Sequence, residues 1–325
     1  LDRVQGCGRK CAGEGVVNGA VTAAQTYRRS AVFMDTLVSV QAVSDLPEAR
    51  FDERATAAFA WFQRVERACS RFDPDSELSR LCACVGEPVP VSLLLFEAVR
   101  FAVAVAGLSA GAFDPTIGQT LARRGFNRHY LTGQTMETAD ARANPTNYRD
   151  VSLDVDAGTI TLRKSLLLDL GAVAKGLAID LAAKEMHGFA HAVVEAGGDL
   201  YARGRNAAGE PWRVGIRHPR HDDALIEALH VSDMAVCTSG DYERRDPTGN
   251  GHHLLDPHTG ASADTVISVT VVAPTAMVAD ALATAAFVLG PARGLRFLDA
   301  QGVDGLIYSA ALERQATRGL ARYLR

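Results

Sequence analysis

The sequence predicts an α+β fold of largely antiparallel β-sheets packed with helices. Segments of helix length and of strand length mix along it without a regular strand–helix–strand repeat. Several successive strands are joined by short turns, which suits antiparallel neighbours. The 325 residues, 47% of them hydrophobic, also supply a large core, so a disulfide framework is not needed.

Residues 1–30 are small and polar, with neither periodicity, and are expected to form an N-terminal tail or arm ahead of one domain over 31–325. The chain begins at Leu1 without Met or a basic-then-apolar leader, which points to a processed or truncated form. A strand is predicted from Ser30 to Gln41, its later part alternating Leu37, Ser39 and Gln41 against Val38 and Val40. Ala55, Ala58, Phe59, Phe62, Val65 and Cys69 recur at helical spacing over 52–70, and Pro74 breaks that helix. A second helix is expected from an N-cap Ser92 to Ala106, ending at Gly107. Residues 151–162 read as a hairpin turning at Asp156-Ala157-Gly158.

The organising stretch is 166–180. An apolar run of strand length, Leu166 to Asp169, turns at Gly171 into an Ala-rich helix reaching Met186. Such a helix start offers free N–H groups to an anion, and Lys175 would add a positive charge there. The alternative is an ordinary Gly turn with a solvated lysine. Beyond it, 192–195 is a strand entering the Gly197-Gly198 turn, Trp212, Val214 and Ile216 alternate in another, and 266–273 is strongly β-branched.

A net charge of −4 and a pI near 6.2 give no electrostatic footprint for nucleic acid. No apolar run approaches the roughly 18–20 residues needed to span a bilayer. Cys7, Cys11, Cys69, Cys82, Cys84 and Cys237 contain no Cys-x-x-Cys pair, and nothing beside Cys82 and Cys84 completes a zinc set.

Residues 277–289 are apolar on every side except at Asp280 and Thr284, so this helix should be buried. The two polar residues are four apart and share one side. A buried lone carboxylate is costly unless paired or bound to a metal, and two hard oxygens on one face suit Mg²⁺. The alternative pairs Asp280 with a buried Arg or a backbone N–H, while Thr284 bonds back to its own helix. In Gly251-His-His-Leu-Leu-Asp-Pro-His-Thr-Gly260, strand alternation lets only one of His252 and His253 face a given pocket, where it could act as a general base. His187 and His191 lack the Glu of a His-Glu-x-x-His motif and read as surface residues.

Eight motifs occur in order between residues 34 and 284: Met34-Asp-Thr36, Ser70-Arg-Phe-Asp-Pro-Asp-Ser-Glu-Leu-Ser79, Gly111-Ala-Phe-Asp-Pro-Thr116, Asp169-Leu-Gly-Ala-Val-Ala-Lys-Gly176, Ala196-Gly-Gly-Asp199, Thr238-Ser-Gly-Asp-Tyr242, His253-Leu-Leu-Asp-Pro257 and Ala279-Asp-Ala-Leu-Ala-Thr284. Together they resemble the FAD:protein FMN transferases, the ApbE-like flavin transferases. The resemblance implies an α+β fold that binds FAD and Mg²⁺ and moves FMN from FAD onto a Thr or Ser of an acceptor flavoprotein, releasing AMP. A subunit of a membrane redox complex is one such acceptor. The resemblance also implies a periplasmic or cell-envelope setting.

Carried over by position, Met34, Phe72, Ala112, Phe113, Asp114, Asp169 and Lys175 match FAD-contacting positions. Ala172, through its backbone carbonyl, matches the metal site together with Asp280 and Thr284, and His253 matches the proposed base. Asp35 stands where many relatives have Gly. Glu195 stands where Asn is frequent, a departure expected to affect flavin or acceptor binding. The resulting expectation is an Mg²⁺-dependent flavin transferase in which Lys175 and the Gly171 turn help hold the phosphates. Its rivals are an FAD pyrophosphatase giving FMN and AMP, and a flavin-binding protein without turnover.

Overall fold

The computed structural model describes residues 24–128, 133, 135, 145–245, 249 and 251–324. Thirteen strands are described: β1 (Gln25–Phe33), β2 (Thr36–Ser44), β3 (Pro88–Pro90), β4 (Val151–Asp154), β5 (Thr159–Leu162), β6 (His191–Ala196), β7 (Asp199–Arg203), β8 (Trp212–Arg217), β9 (Leu225–Val231), β10 (Met234–Gly240), β11 (Val266–Ala273), β12 (Asp304–Ser309) and β13 (Arg314–Ala316). The helices are α1 (Glu48–Cys69), α2 (Glu77–Ala83), α3 (Leu93–Leu108), α4 (Gly118–Arg123), α5 (Gly171–Glu185), α6 (Ala276–Leu289) and α7 (Pro291–Ala300). One eight-stranded sheet runs β1-β2-β6-β7-β10-β11-β12-β13, with a three-stranded sheet β3-β5-β4 and a ribbon β8-β9. Every strand pair among the described residues is antiparallel, as the short connections predicted.

The large sheet is covered on both faces. The main core joins one face to α1, α3, α5 and α6 through residues such as Val40, Phe62, Val99, Ile179, Val269 and Phe287. A smaller core on the other face packs Val214 and Leu229 of the ribbon against Val236, Val272 and Leu306. Burial on two sides explains why β11 is rich in β-branched residues and is buried along its whole length. α5 packs against both α1 and α6. At its crossing with α6, a Cβ on Gly176 would stand 2.5 Å from the Ala276 carbonyl oxygen, so the two backbones touch. No described helix is long and apolar enough to cross a membrane.

Three expectations about local structure are corrected. The single strand predicted from Ser30 to Gln41 is a hairpin, β1 and β2, turning at Met34 and Asp35 with φ of 52° and 62°. A two-residue turn between twisted strands needs positive φ at both positions, and neither residue is the Gly or Asn that would advertise it. The hairpin also starts at Gln25, inside the stretch read as a tail; residues 1–23 lie outside the described ones. In the run from Leu166 to Asp169, Leu166 and Leu168 are buried, but the run is not a strand. Its polar backbone groups go to three separate elements: Leu168 N to Cys82 Sγ (3.4 Å), Asp169 N to the Pro115 carbonyl (2.7 Å), and the Leu167 carbonyl from Gly118 N (3.1 Å). The predicted helices keep their positions, with α1 beginning four residues early and α3 running through Gly107 to Leu108.

Candidate active site

A cavity of about 680 Å³ opens between the β1–β2 turn, the start of α5, the Asp280–Thr284 side of α6 and the segment carrying His253. All eleven residues singled out in the sequence line it: Met34, Phe72, Ala112, Phe113, Asp114, Asp169, Ala172, Lys175, His253, Asp280 and Thr284. Its volume lies in the range of small-molecule sites.

The acidic end is built by α5, α6, β7 and β10. Thr275 caps α6 by accepting from Val278 N, and the buried helix presents Asp280 and Thr284 one turn apart. Lys175 Nζ donates to Asp280 Oδ2 at 3.0 Å and also pairs with Asp199, the first residue after the Gly197-Gly198 turn. Asp199 accepts from Thr238 N at 2.8 Å, and the Ser239 and Thr284 hydroxyls lie 3.2 Å apart.

Lys175 is therefore neither solvated nor waiting for an outside anion, as its place near a helix start suggested. Its side chain turns toward α6, because the close crossing at Gly176 brings the carboxylates within reach. Asp280 meets a lysine rather than an arginine or a backbone N–H, and Thr284 meets Ser239 rather than its own helix.

Two buried carboxylates share one ammonium, so the cluster carries excess negative charge. Among the described residues no three His, Cys, Asp or Glu side chains converge as a metal set. A cation here would be completed by hydroxyl and carbonyl oxygens, the hard, partly neutral donor set that Mg²⁺ accepts. Asp280, the Thr284 hydroxyl and the Ala172 carbonyl in the first turn of α5 fit that chemistry.

At the other end, His253 and His252 part as strand alternation predicts, within an isolated bridge: His252 pairs with Arg245, and His253 N donates to the Arg244 carbonyl at 3.1 Å. His252 is buried, its Nε2 2.8 Å from the Ala263 carbonyl and its ring edge-on to Phe287. His253 faces the cavity. Its Nδ1 lies 3.3 Å from the Arg244 carbonyl, an acceptor only, so Nδ1 carries the proton and Nε2 is the bare nitrogen of the neutral ring. Burial, and next the Arg244 charge, push the imidazole down to about 4.

The floor is tied by Arg71. Its Nε donates to Asp169, and its Nη2 donates to the Phe126 carbonyl at 2.5 Å. Asp169 Oδ1 accepts from Gly171 N at 2.9 Å. Burial raises the Asp169 carboxyl, but Arg71, the Gly171 N–H and Arg244 outweigh it and hold the group below the usual carboxylate range. Asp114 is spent locally: Thr116 N, Thr116 Oγ1 and Tyr148 N donate to it at 2.9, 2.8 and 3.0 Å, which fixes the loop bearing Ala112 and Phe113.

Residues 34–307 match the ApbE family. The chain belongs to the ApbE family. It is 35% identical to an FAD:protein FMN transferase of Treponema pallidum over 92% of this chain and 89% of that protein. With one of Vibrio cholerae it shares 33% identity over 75% of this chain and 76% of the relative. The crystal structure of the ApbE protein of Thermotoga maritima superposes with a TM-score of 0.82 at 31% identity, covering 93% of this chain and all of that one. The flavin transferase ApbE of Vibrio cholerae superposes with a TM-score of 0.80 at 28% identity, with 93% and 100% covered.

Within this ApbE fold, sequence reasoning missed Asp199, Arg71 and Phe126. Asp199 and Arg71 lie inside motifs quoted above, but a carboxylate after a Gly-Gly turn and an arginine after a helix carry no spacing signal of their own. Phe126 carries none either. Glu195 is absent from the cavity wall. It sits on β6, accepting from the Ser39 hydroxyl at 3.1 Å with Arg28 3.9 Å away, because alternation turns it from the Ala196 side.

Proposed function

We propose that this chain transfers the FMN moiety of FAD to a Thr or Ser hydroxyl of an acceptor protein and releases AMP, with Mg²⁺ as cofactor. The observation that carries this reading is the placement of the excess-negative Asp199–Lys175–Asp280–Thr284 cluster and the bare-Nε2 His253 on one cavity wall system. One end suits a cation that shares substrate phosphates, the other a base for a hydroxyl.

In this mechanism, Met34, Phe72 and Phe113 of the cavity lining would help hold FAD. His253 Nε2 takes the proton of the acceptor hydroxyl as its oxygen forms a bond to the FMN-side phosphorus. The bond from that phosphorus to the bridging oxygen breaks, and AMP leaves with the electron pair. Mg²⁺, held by Asp280, Thr284 and the Ala172 carbonyl, would supply charge stabilisation for the phosphoryl oxygens. Lys175 keeps both carboxylates oriented and limits their repulsion toward the phosphates. The Arg71–Asp169 pair holds the start of α5, and with it the Ala172 carbonyl.

The reading is tested by incubating the protein with FAD and Mg²⁺ and following AMP, with and without a co-expressed acceptor whose intact mass is monitored. AMP release coupled to a gain of one FMN mass on a Thr or Ser is expected. Equal AMP release without acceptor would replace transfer by hydrolysis, and FAD binding without AMP would reduce the protein to a flavin binder.

A further inference from the structure

Arg71 stands directly after α1, in a loop made rigid by its own hydroxyls: Ser76 Oγ donates to the Ser70 carbonyl (2.6 Å) and Ser79 Oγ to the Asp73 carbonyl (2.7 Å). Its guanidinium stacks 4.0 Å above the Phe72 ring and is almost wholly buried. Two of its nitrogens point to different segments, Nε to Asp169 before α5 and Nη2 to the Phe126 carbonyl after α4. The third, Nη1, is buried and has no hydrogen-bond partner among the described residues. An orphaned buried donor is a stability cost, so an ion pair with Asp169 alone does not account for an arginine here. A lysine could make that pair; only a planar fork reaches Asp169 and the Phe126 carbonyl together. The Phe126 ring in turn lies edge-on to His253, 6.3 Å between centroids.

We propose that Arg71 is a positioning residue for the transfer step: by fastening the Phe126 backbone to the Asp169 end of α5, it holds the Phe126 ring against His253 and so fixes the imidazole in the cavity wall. The inference rests on His253 being the base, as proposed above. Phe126 is the apolar cover of the ring, and the charged or titratable groups that act on it are Arg244, His252 and Asp169. Loosening the cover admits water to the imidazole without changing those charges, which should move its titration up toward the ordinary value near 6.5.

The discriminating variant is Arg71→Lys, which keeps the charge opposite Asp169 and gives up the second bond. Turnover is expected to fall between about tenfold and a hundredfold, as for a displaced catalytic group. FAD affinity, read in EDTA by quenching of flavin fluorescence, should change by less than about threefold if positioning rather than binding is lost. The acidic limb of the pH–rate profile should move upward. Phe126→Ala, which leaves the Arg71–Asp169 pair intact, should reproduce the limb shift, and the double variant should add little, as expected of residues acting through one contact. Parental turnover and profile in Arg71→Lys, or a loss confined to FAD affinity, would overturn the proposal. If Arg71→Lys does not fold, Phe126→Ala decides alone: an unmoved limb overturns it. Undiminished turnover in His253→Ala is a separate result, which removes the base itself and this inference with it.

Discussion

Lys175 Nζ stands 3.0 Å from Asp280 Oδ2 while also closing on Asp199, so a single ammonium serves two buried carboxylates, one on α6 and one on β7. Removing it should expose their mutual repulsion. Lys175→Met is expected to lose up to about 3 kcal/mol, the low end for a broken buried pair because the lysine is partly exposed. Because a divalent cation can replace the missing charge, Mg²⁺ should raise the melting temperature of Lys175→Met more than that of the parent. Equal shifts would speak against a cation site beside Asp280.

Asp280→Ala leaves Lys175 paired with Asp199 and the cluster neutral, so the fold should survive while Mg²⁺-dependent AMP release is lost. Circular dichroism and AMP assays on the same preparation check both halves. A folded variant with parental Mg²⁺-dependent turnover would remove Asp280 from the metal site.

The two histidines should separate cleanly. His253→Ala is expected to lower turnover by roughly 10²–10⁴-fold, the usual worth of a general base, with FAD affinity little changed. His252→Ala loses a bond to the Ala263 carbonyl and an edge contact with Phe287, and should act through stability. The sign of the pH effect follows from the depressed imidazole. In the folded chain His253 stays neutral down to about 4, so the acidic limb of kcat/KM should lie well below 6.5. Its contribution to stability is present above 6.5 and lost as pH falls through about 4. Arg244→Gln should shift the limb upward, and an acidic limb at the ordinary imidazole value in the parent would contradict the burial.

Asp180 titrates in the opposite sense. It accepts from Ala276 N (2.7 Å) and Met277 N (3.0 Å), anchoring the start of α6, and burial pushes it up to about 6 despite those bonds. A raised carboxyl contributes stability that is complete below about 4 and lost as pH rises through about 6. Relative to Asp180→Asn, the parent should be more favoured at pH 5 than at pH 8, by up to about 2 kcal/mol. Urea unfolding at both pH values measures this; a difference independent of pH would contradict it.

Gly176→Ala places a methyl group 2.5 Å from the Ala276 carbonyl oxygen and from Met277 Cα, both backbone atoms that cannot step aside. The helices must separate, at about 1–3 kcal/mol for an overpacked contact. Separation also pulls Lys175 from Asp280, so turnover should fall more steeply than thermal stability. Full activity in Gly176→Ala would show that the crossing does not set the cluster.

Sequence periodicity was enough for the antiparallel α+β class, for α1, α3 and α6, and for the isolation of Asp280 and Thr284 on an apolar helix. These are local signals, written within one or two turns of chain. All eleven candidate residues of the motif series line one cavity: most of the motifs lie at a strand end, turn or helix start, and Asp280 and Thr284 project from the middle of α6. Three things needed the folded chain. The Met34–Asp35 turn is imposed by pairing of β1 with β2 and carries no Gly or Asn. The partner of Asp280 is Lys175, 105 residues away and brought near by the α5–α6 crossing. The link from Arg71 through Phe126 to His253 joins three segments whose order in the chain says nothing of their contact. Spacing reports what a single helix or strand does with its own faces; which charges meet across two elements is decided by packing.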